Sequence, residues 1–179
     1  MSTLNSTPQY QGRVISVTVD DVILPNGRQT ALEVVHHPGG AAIVALNDLQ
    51  QMCLLRQYRY VAGGWIWELP AGKLEPAEPP EATARRELTE EAGVVATDWS
   101  SLGSLLSSPG VFAEVIHLYL AQGLSSARSR LEDNEVLEVH WVSFPQACDM
   151  ALSGELRDAK TAIGVLRAAH RLGLSLTHG

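Results

Sequence analysis

The stretch from Pro80 to Gly93 constrains the fold most, because it is bounded at both ends and carries charge where charge is expensive. Pro80 stands where a first-turn proline is tolerated and Gly93 where a left-handed residue ends a helix, so the spacing predicts a helix over 81–92. Ala84, Leu88 and Ala92 form an apolar stripe at i, i+4 and i+8 that should face a core. Beside it fall Glu87, Glu90 and Glu91, in the last two turns. Like charges at these spacings cost about 0.2–0.5 kcal/mol per pair, and carboxylates near a helix C-terminus lose roughly 0.3–1 kcal/mol each to the dipole. Something positive must compensate. Arg85 and Arg86 are near enough to help. Clustered carboxylates at the edge of a packed surface also suit a hard divalent cation, Mg²⁺ or Mn²⁺.

The net charge supports looking for cations. Thirteen Lys+Arg against 20 Asp+Glu leave −7, a field that repels phosphate backbones and disfavours a generic nucleic-acid binder. A small phosphate ester remains accessible if bound cations invert the local sign. With 179 residues, 45% of them hydrophobic, the chain can bury one sizeable core. Cys53 and Cys148 stand far apart in apolar segments without CxxC spacing, and are expected to be reduced and buried. No basic-then-apolar leader opens the sequence and no window approaches 18 apolar residues, so the expected setting is the cytoplasm, without a membrane partner.

Around the helix the pattern is mostly of strands. Gly12 to His37 alternates through Val14, Ile15, Val17 and Val19, turns at Pro25-Asn26-Gly27, and resumes to Val35, a small antiparallel unit. His37-Pro38-Gly39-Gly40 breaks the pattern, which places a boundary near 38–40: an N-terminal strand unit over 1–38 and a main domain over 39–179. Strands are expected at 41–46, 52–58, 65–69, 101–107, 114–121 and 136–142, a loop at 125–134, and helices from about 143 to 153 and over 158–172. The order implies a mixed sheet covered by helices on both sides.

The loop before the helix makes the chemistry specific. Gly72, Glu78, Arg86-Glu87-Leu88, Glu90-Glu91 and Gly93-Val94 occupy, over the 23 residues 72–94, every fixed position of the Nudix box. The chain therefore resembles the Nudix hydrolases. The likeness continues in Leu55-Arg56-Gln57-Tyr58-Arg59, Gly63-Gly64, Trp67-Glu68-Leu69-Pro70-Ala71-Gly72 and Ser108-Pro109-Gly110, which look like the ADP-ribose pyrophosphatase branch. Pro109 stands 16 residues beyond Gly93, a spacing that in this family marks ADP-ribose-type substrates. The resemblance implies an α/β (α+β) fold, the Nudix α/β/α sandwich, with metal-dependent hydrolysis of ADP-ribose to AMP and ribose 5-phosphate. Other nucleoside diphosphate sugars or dinucleotides, GDP-mannose among them, and a sensing module without turnover are the competing readings.

By position, the resemblance makes Glu87 and Glu91 metal ligands, Glu90 a secondary one and the Ala71 carbonyl a backbone ligand, while Gly72, Glu78, Arg86 and Gly93 shape the motif. It implies a substrate set of Arg59, Glu68, Lys73, Pro109, Gly110 and Glu114. Relatives place a base or a further metal ligand at Glu135, with a second carboxylate at Asp133, and Glu132 lies on the same loop. Which of Asp133 and Glu135 is the base stays open. It also implies a homodimer in which residues 1–38 are exchanged between subunits. Trp65 and Trp67 are either core or base-stacking residues, and His36, His37, His117 and His140 read as structural. Arg56 and Arg59, at odd spacing in a strand, cannot face the same way, and the resemblance selects Arg59 as the phosphate clamp.

Overall fold

In a computed structural model that describes residues 2–131 and 136–174, ten strands and three helices follow one another. The chain divides into two compact units, Met1–Gly39 with Leu106–Val115, and Gly40–Leu105 with Ile116–Gly179.

The first unit is built on β1 (Ser2–Gln11), β2 (Ser16–Ile23) and β3 (Gln29–His36), paired antiparallel in order. β1 has no counterpart in the sequence reading, because its ten residues are all exposed and show no apolar alternation. Its order comes from pairing with β2, after a turn closed by Gly12 N–H donating to the Ile15 carbonyl at 2.8 Å. The register shifts between Thr3 and Asn5 and between Pro8 and Tyr10, irregularities that an edge strand containing a donorless proline tolerates. The segment 106–115 groups with these strands: Val35 and His36 of β3 pair in parallel with Phe112 and Ala113.

The second unit centres on β4 (Gly40–Ala45), all six of whose residues are buried. A strand covered on both faces reads as a continuous apolar run, as GAAIVA does. It pairs in parallel with β9 (Phe112–Ser126) over Ile116–Ala121 and antiparallel with the short β7 (Ala71–Lys73). β8 (Val94–Ser108) pairs with β9. A second sheet is ordered β10 (Leu137–Ser143), β5 (Gln51–Arg59), β6 (Gly64–Glu68), all antiparallel.

Alternation along β4 decides which helix packs where. Ala41, Ile43 and Ala45 join Cys53 and Leu55 against Ala84 and Leu88 of α1 (Pro80–Ala92). Ala42 and Val44 face the other way, against Phe144 and Ala147 of α2 (Phe144–Ser153) and Val165 and Ala168 of α3 (Ala159–Arg171). Helices thus cover both faces of β4, the α/β/α arrangement expected from the order of elements. Cys53 and Cys148 are buried and unbonded to each other, and burial pushes the Cys53 thiol up to about 12. Among the described residues, no helix is long and apolar enough to cross a membrane.

Where the sequence predicts strands and helices, the bounds match closely except at β8 and β9, while β1 is unexpected and β7 (Ala71–Lys73) falls within the segment read as the loop before the helix. β8 begins at Val94, immediately after the helix stop, and β9 continues through Ser126 into the segment read as loop. β8 pairs with β9, and polar residues such as Thr97, Asp98, Ser125 and Ser126 sit on exposed positions of the two extensions.

Candidate active site

Arg86 is the centre of the charged face of α1. Its Nε and Nη2 fork onto Glu78, at 3.2 Å to Oε1 and 3.1 Å to Oε2, while Nη1 donates to Glu87 Oε1 at 2.7 Å and Glu90 Oε2 at 3.0 Å. One guanidinium thus answers two of the three helix carboxylates and ties the loop residue Glu78 to them. Glu78 hydrogen bonding leads the effects that raise the Arg86 pKa above its usual range, against the opposing effect of burial. The hydrogen bond from Arg86 likewise leads those that hold the Glu78 carboxyl below the ordinary glutamate range. Arg85 takes no part: it pairs with Glu81 at 2.7 Å and lies 4.6 Å over the Trp99 ring. Of the two arginines the sequence offers, only Arg86 compensates the cluster.

Backbone placement locks the same cluster to β7. Ala71 N–H donates to Glu91 Oε2 at 2.8 Å. A Cβ on Gly72 would lie 1.8 Å from Glu87 Oε1 and 2.0 Å from its carboxyl carbon, so only glycine lets that carboxylate lie against the strand. Thr83, buried beneath the loop, donates its hydroxyl to Glu78 at 2.7 Å. Gly93 closes the helix with φ 64°, its N–H donating to the Thr89 carbonyl at 3.1 Å. The segment after β9 meets two further carbonyls at this end, those of Glu90 and Gly93. Arg130 N–H and the Ser129 hydroxyl donate to the Glu90 carbonyl at 3.0 and 2.7 Å, and Ala127 N–H to Gly93 at 2.8 Å. The acidic end of α1 is therefore capped by hydrogen-bond donors from a distant stretch of chain.

Glu87 and Glu91 are buried, and the Glu90 side chain is 37% exposed, so the carboxylates run from core to solvent along one helix face. Among the described residues no three His, Cys, Asp or Glu side chains converge into a ready-made cage, because Arg86 lies between them. The donor set itself, carboxylate oxygens with a nearby backbone carbonyl, fits a hard divalent cation and offers no nitrogen or sulfur ligand. Glu132, Asp133, Asn134 and Glu135 lie outside the described residues.

The substrate set divides between the units. Arg59 and Arg56 point to different partners, as their odd spacing in β5 requires. Arg56 sits 5.1 Å over the Trp67 ring, whereas Arg59 forks onto Glu68 at 2.7 and 3.0 Å with its own side chain 44% exposed. Glu68 is buried and also accepts from Lys160 Nζ at 2.6 Å. Burial opposes its charge, but the Arg59 hydrogen bond and the Lys160 ammonium outweigh it and bring its carboxyl down to about 2. Lys73 is exposed, and its carbonyl lies 3.5 Å from Arg86 Nη2.

Pro109, Gly110 and Glu114 belong to the first unit, the first two exposed in the turn between β8 and β9. There Glu114 stands 3.1 Å from His37 Nδ1, whose ring tilts against Phe112 at 5.4 Å. Trp67 meets the His140 ring edge-on, and Trp65 meets Tyr58. Sequence reasoning missed Thr83, Lys160 and the Glu114–His37 pair. Asp158 and Thr161 could have been read as a helix cap, since the Asp158 side chain accepts from Thr161 N–H. Lys160 and Glu68 stand 92 positions apart and carry no mutual signal.

Comparison with known proteins accords with this geometry. The chain is 39% identical over 158 residues to an ADP-ribose pyrophosphatase of Bacillus subtilis (strain 168), covering 87% of this chain and 85% of the relative. It is 38% identical to a methanol dehydrogenase activator of Bacillus methanolicus, over 91% and 89% of the two chains. An ADP-ribose pyrophosphatase of Mycobacterium tuberculosis is 37% identical, over 92% and 81%. A solved structure described as an ADP compounds hydrolase superposes with a TM-score of 0.83 at 21% identity, covering 96% of this chain and 94% of the other, a likeness of fold. The NUDIX domain model matches residues 36–163, a span that contains β4, the loop, α1 and its capping segment, and the chain belongs to the Nudix family.

Proposed function

We propose that the protein hydrolyses the diphosphate linkage of ADP-ribose to AMP and ribose 5-phosphate, using Mg²⁺ held by Glu87, Glu90, Glu91 and the Ala71 carbonyl. The observation that carries this reading is the surplus of carboxylate around Arg86 on a helix face anchored to its loop by Glu78 and to β7 by Gly72 and Ala71. The choice of ADP-ribose is supported by the name of the Bacillus subtilis relative.

A bound divalent cation supplies the positive charge that offsets the diphosphate and makes water acidic enough to attack near neutral pH. The chain's own residues do the rest. Arg86 holds Glu87 and Glu90 in register so that their oxygens stay directed together. Arg59, fixed by Glu68, offers its remaining N–H groups to phosphate oxygens. Glu135 takes the proton of the attacking water, with Asp133 and Glu132 just before it in sequence. The oxygen of that water bonds to phosphorus as the bridging P–O bond breaks. Glu114, beside His37, accepts hydrogen bonds from ribose hydroxyls in a loop shaped by Pro109 and Gly110. Lys73, exposed on β7 beside the box, meets the substrate phosphates. The working form is a cytoplasmic homodimer that exchanges residues 1–38 across an obligate-sized interface.

The test is a panel of ADP-ribose, GDP-mannose, dinucleotides and nucleoside triphosphates with Mg²⁺, read by chromatographic separation of the nucleotide products. A site that pairs with hydroxyls of the terminal ribose, beyond the diphosphate, penalises triphosphates, which lack that sugar, by about 1–3 kcal/mol per group. ADP-ribose should therefore exceed triphosphates in kcat/KM by at least about tenfold. Equal or better triphosphates would overturn the substrate, a GDP-mannose preference would move it, and no turnover at all would favour a sensing module.

A further inference from the structure

Glu68, which holds Arg59, belongs to a second charge cluster whose other members, Lys160 and Asp158, the proposed chemistry does not use. Lys160, in the first turn of α3, places Nζ 2.6 Å from Glu68 Oε2 and 2.9 Å from Asp158 Oδ2, with its side chain 15% exposed. Asp158 caps α3 by accepting from Thr161 N–H at 3.0 Å, and the Thr161 hydroxyl accepts from Leu69 N–H at 2.8 Å. The first turn of α3 is thereby bonded to both Glu68 and Leu69, directly ahead of Pro70, Ala71 and the box. Burial works against the Lys160 charge, yet Asp158 and Glu68 hold its ammonium above the ordinary lysine range.

Glu68 is shared. One face takes the Arg59 fork, and Oε2 also takes Lys160. Arg59 spends Nε and Nη2 on Glu68, and its Nη1 has no hydrogen-bond acceptor among the described residues. The Arg59 guanidinium also feels the charge of Glu91, so it stands within electrostatic reach of the acidic face of α1. With Lys160 in place, Arg59 and Lys160 balance Glu68 and Asp158. Without it the same pocket carries an uncompensated negative charge directly under the guanidinium.

We infer that Lys160 is a positioning residue for anion binding: it offsets from below the second of the two negative charges, Glu68 and Asp158, so that Arg59 is held by Glu68 in a cluster without net negative charge and offers a free edge to a diphosphate. The inference rests on the diphosphate-hydrolase reading for the identity of the ligand. It goes beyond that reading in assigning a role to a side chain that touches no substrate.

The test is a double-mutant cycle of Lys160→Gln and Arg59→Ala, with Lys160→Arg as the conservative variant, read by ADP-ribose hydrolysis and by calorimetric binding of ADP. Lys160→Gln should raise KM for ADP-ribose about tenfold with kcat within about twofold, and Lys160→Arg should restore most of the loss. The double variant should bind no worse than Arg59→Ala alone, since both substitutions remove one interaction. Multiplied effects in the double variant, or a fall in kcat at unchanged KM, would overturn the inference. Should Lys160→Gln fail to fold, Asp158→Asn keeps the helix cap and removes the opposing negative charge, so KM should stay or fall, and a rise would overturn it. Wild-type protein that binds ADP without hydrolysing ADP-ribose would refute the proposed function and leave the ADP cycle to judge Lys160. No ADP binding would refute both.

Discussion

Two charge clusters of the second unit both join carboxylates to a guanidinium and differ in their balance. Around Arg86, a single guanidinium faces Glu78, Glu87 and Glu90, with Glu91 tied to backbone close by. Around Glu68, Arg59 and Lys160 meet Glu68 and Asp158 one for one, and the central carboxylate is 3% exposed. A balanced cluster can be buried because each charge has a partner. The unbalanced one runs outward from the core, from buried Glu87 and Glu91 to the half-exposed Glu90. The contrast separates a charge-matched cluster from one in which several carboxylates share a single guanidinium.

The largest expected effect breaks the unbalanced cluster. Glu91→Gln should cost about three or more orders of magnitude in hydrolysis with Mg²⁺. The protein should still fold, because glutamine can accept from Ala71 N–H and one like charge is gone. Rate assays beside thermal unfolding would check both halves. Near-wild-type turnover would reduce this helix to a charged surface.

The balanced cluster should respond to acid. Glu68 drops from 4.5 to about 2 on folding, so its contribution is complete above the unfolded-state value and is lost as pH falls from about 4.5 towards 2. A shift of that size corresponds to about 3 kcal/mol. Denaturant unfolding between pH 6 and pH 2 should show this loss in wild-type protein and a smaller slope in Glu68→Gln. Parallel curves would mean that Glu68 titrates alike in both states.

How much of this was legible in the sequence depends on range. The helix over α1, its proline start and its glycine stop are local signals, and the structure follows them within one residue. The β4 run and the alternation that sorts its two faces are likewise written in six consecutive residues. The need for a positive partner was readable from Glu87, Glu90 and Glu91, but not which arginine would serve, because both Arg85 and Arg86 lie within reach and only packing against Trp99 turns Arg85 away. β1 was not legible at all, since its exposed polar residues are ordered by pairing and not by burial. Lys160 with Glu68, and 127–130 over the end of α1, join residues far apart in sequence, where a lone lysine or serine looks like any surface residue.

The central claim, that the α1 carboxylates await a divalent cation, is tested most directly by thermal unfolding against Mg²⁺ concentration after chelation. A ligand that binds only the folded state stabilises by about 2.7 kcal/mol at a hundredfold excess over Kd. Wild-type protein should gain several degrees in Tm, rising with the logarithm of Mg²⁺, while a Glu87→Gln/Glu91→Gln double variant should show no such rise. Equal rises in both proteins, or none in the wild type, would contradict it.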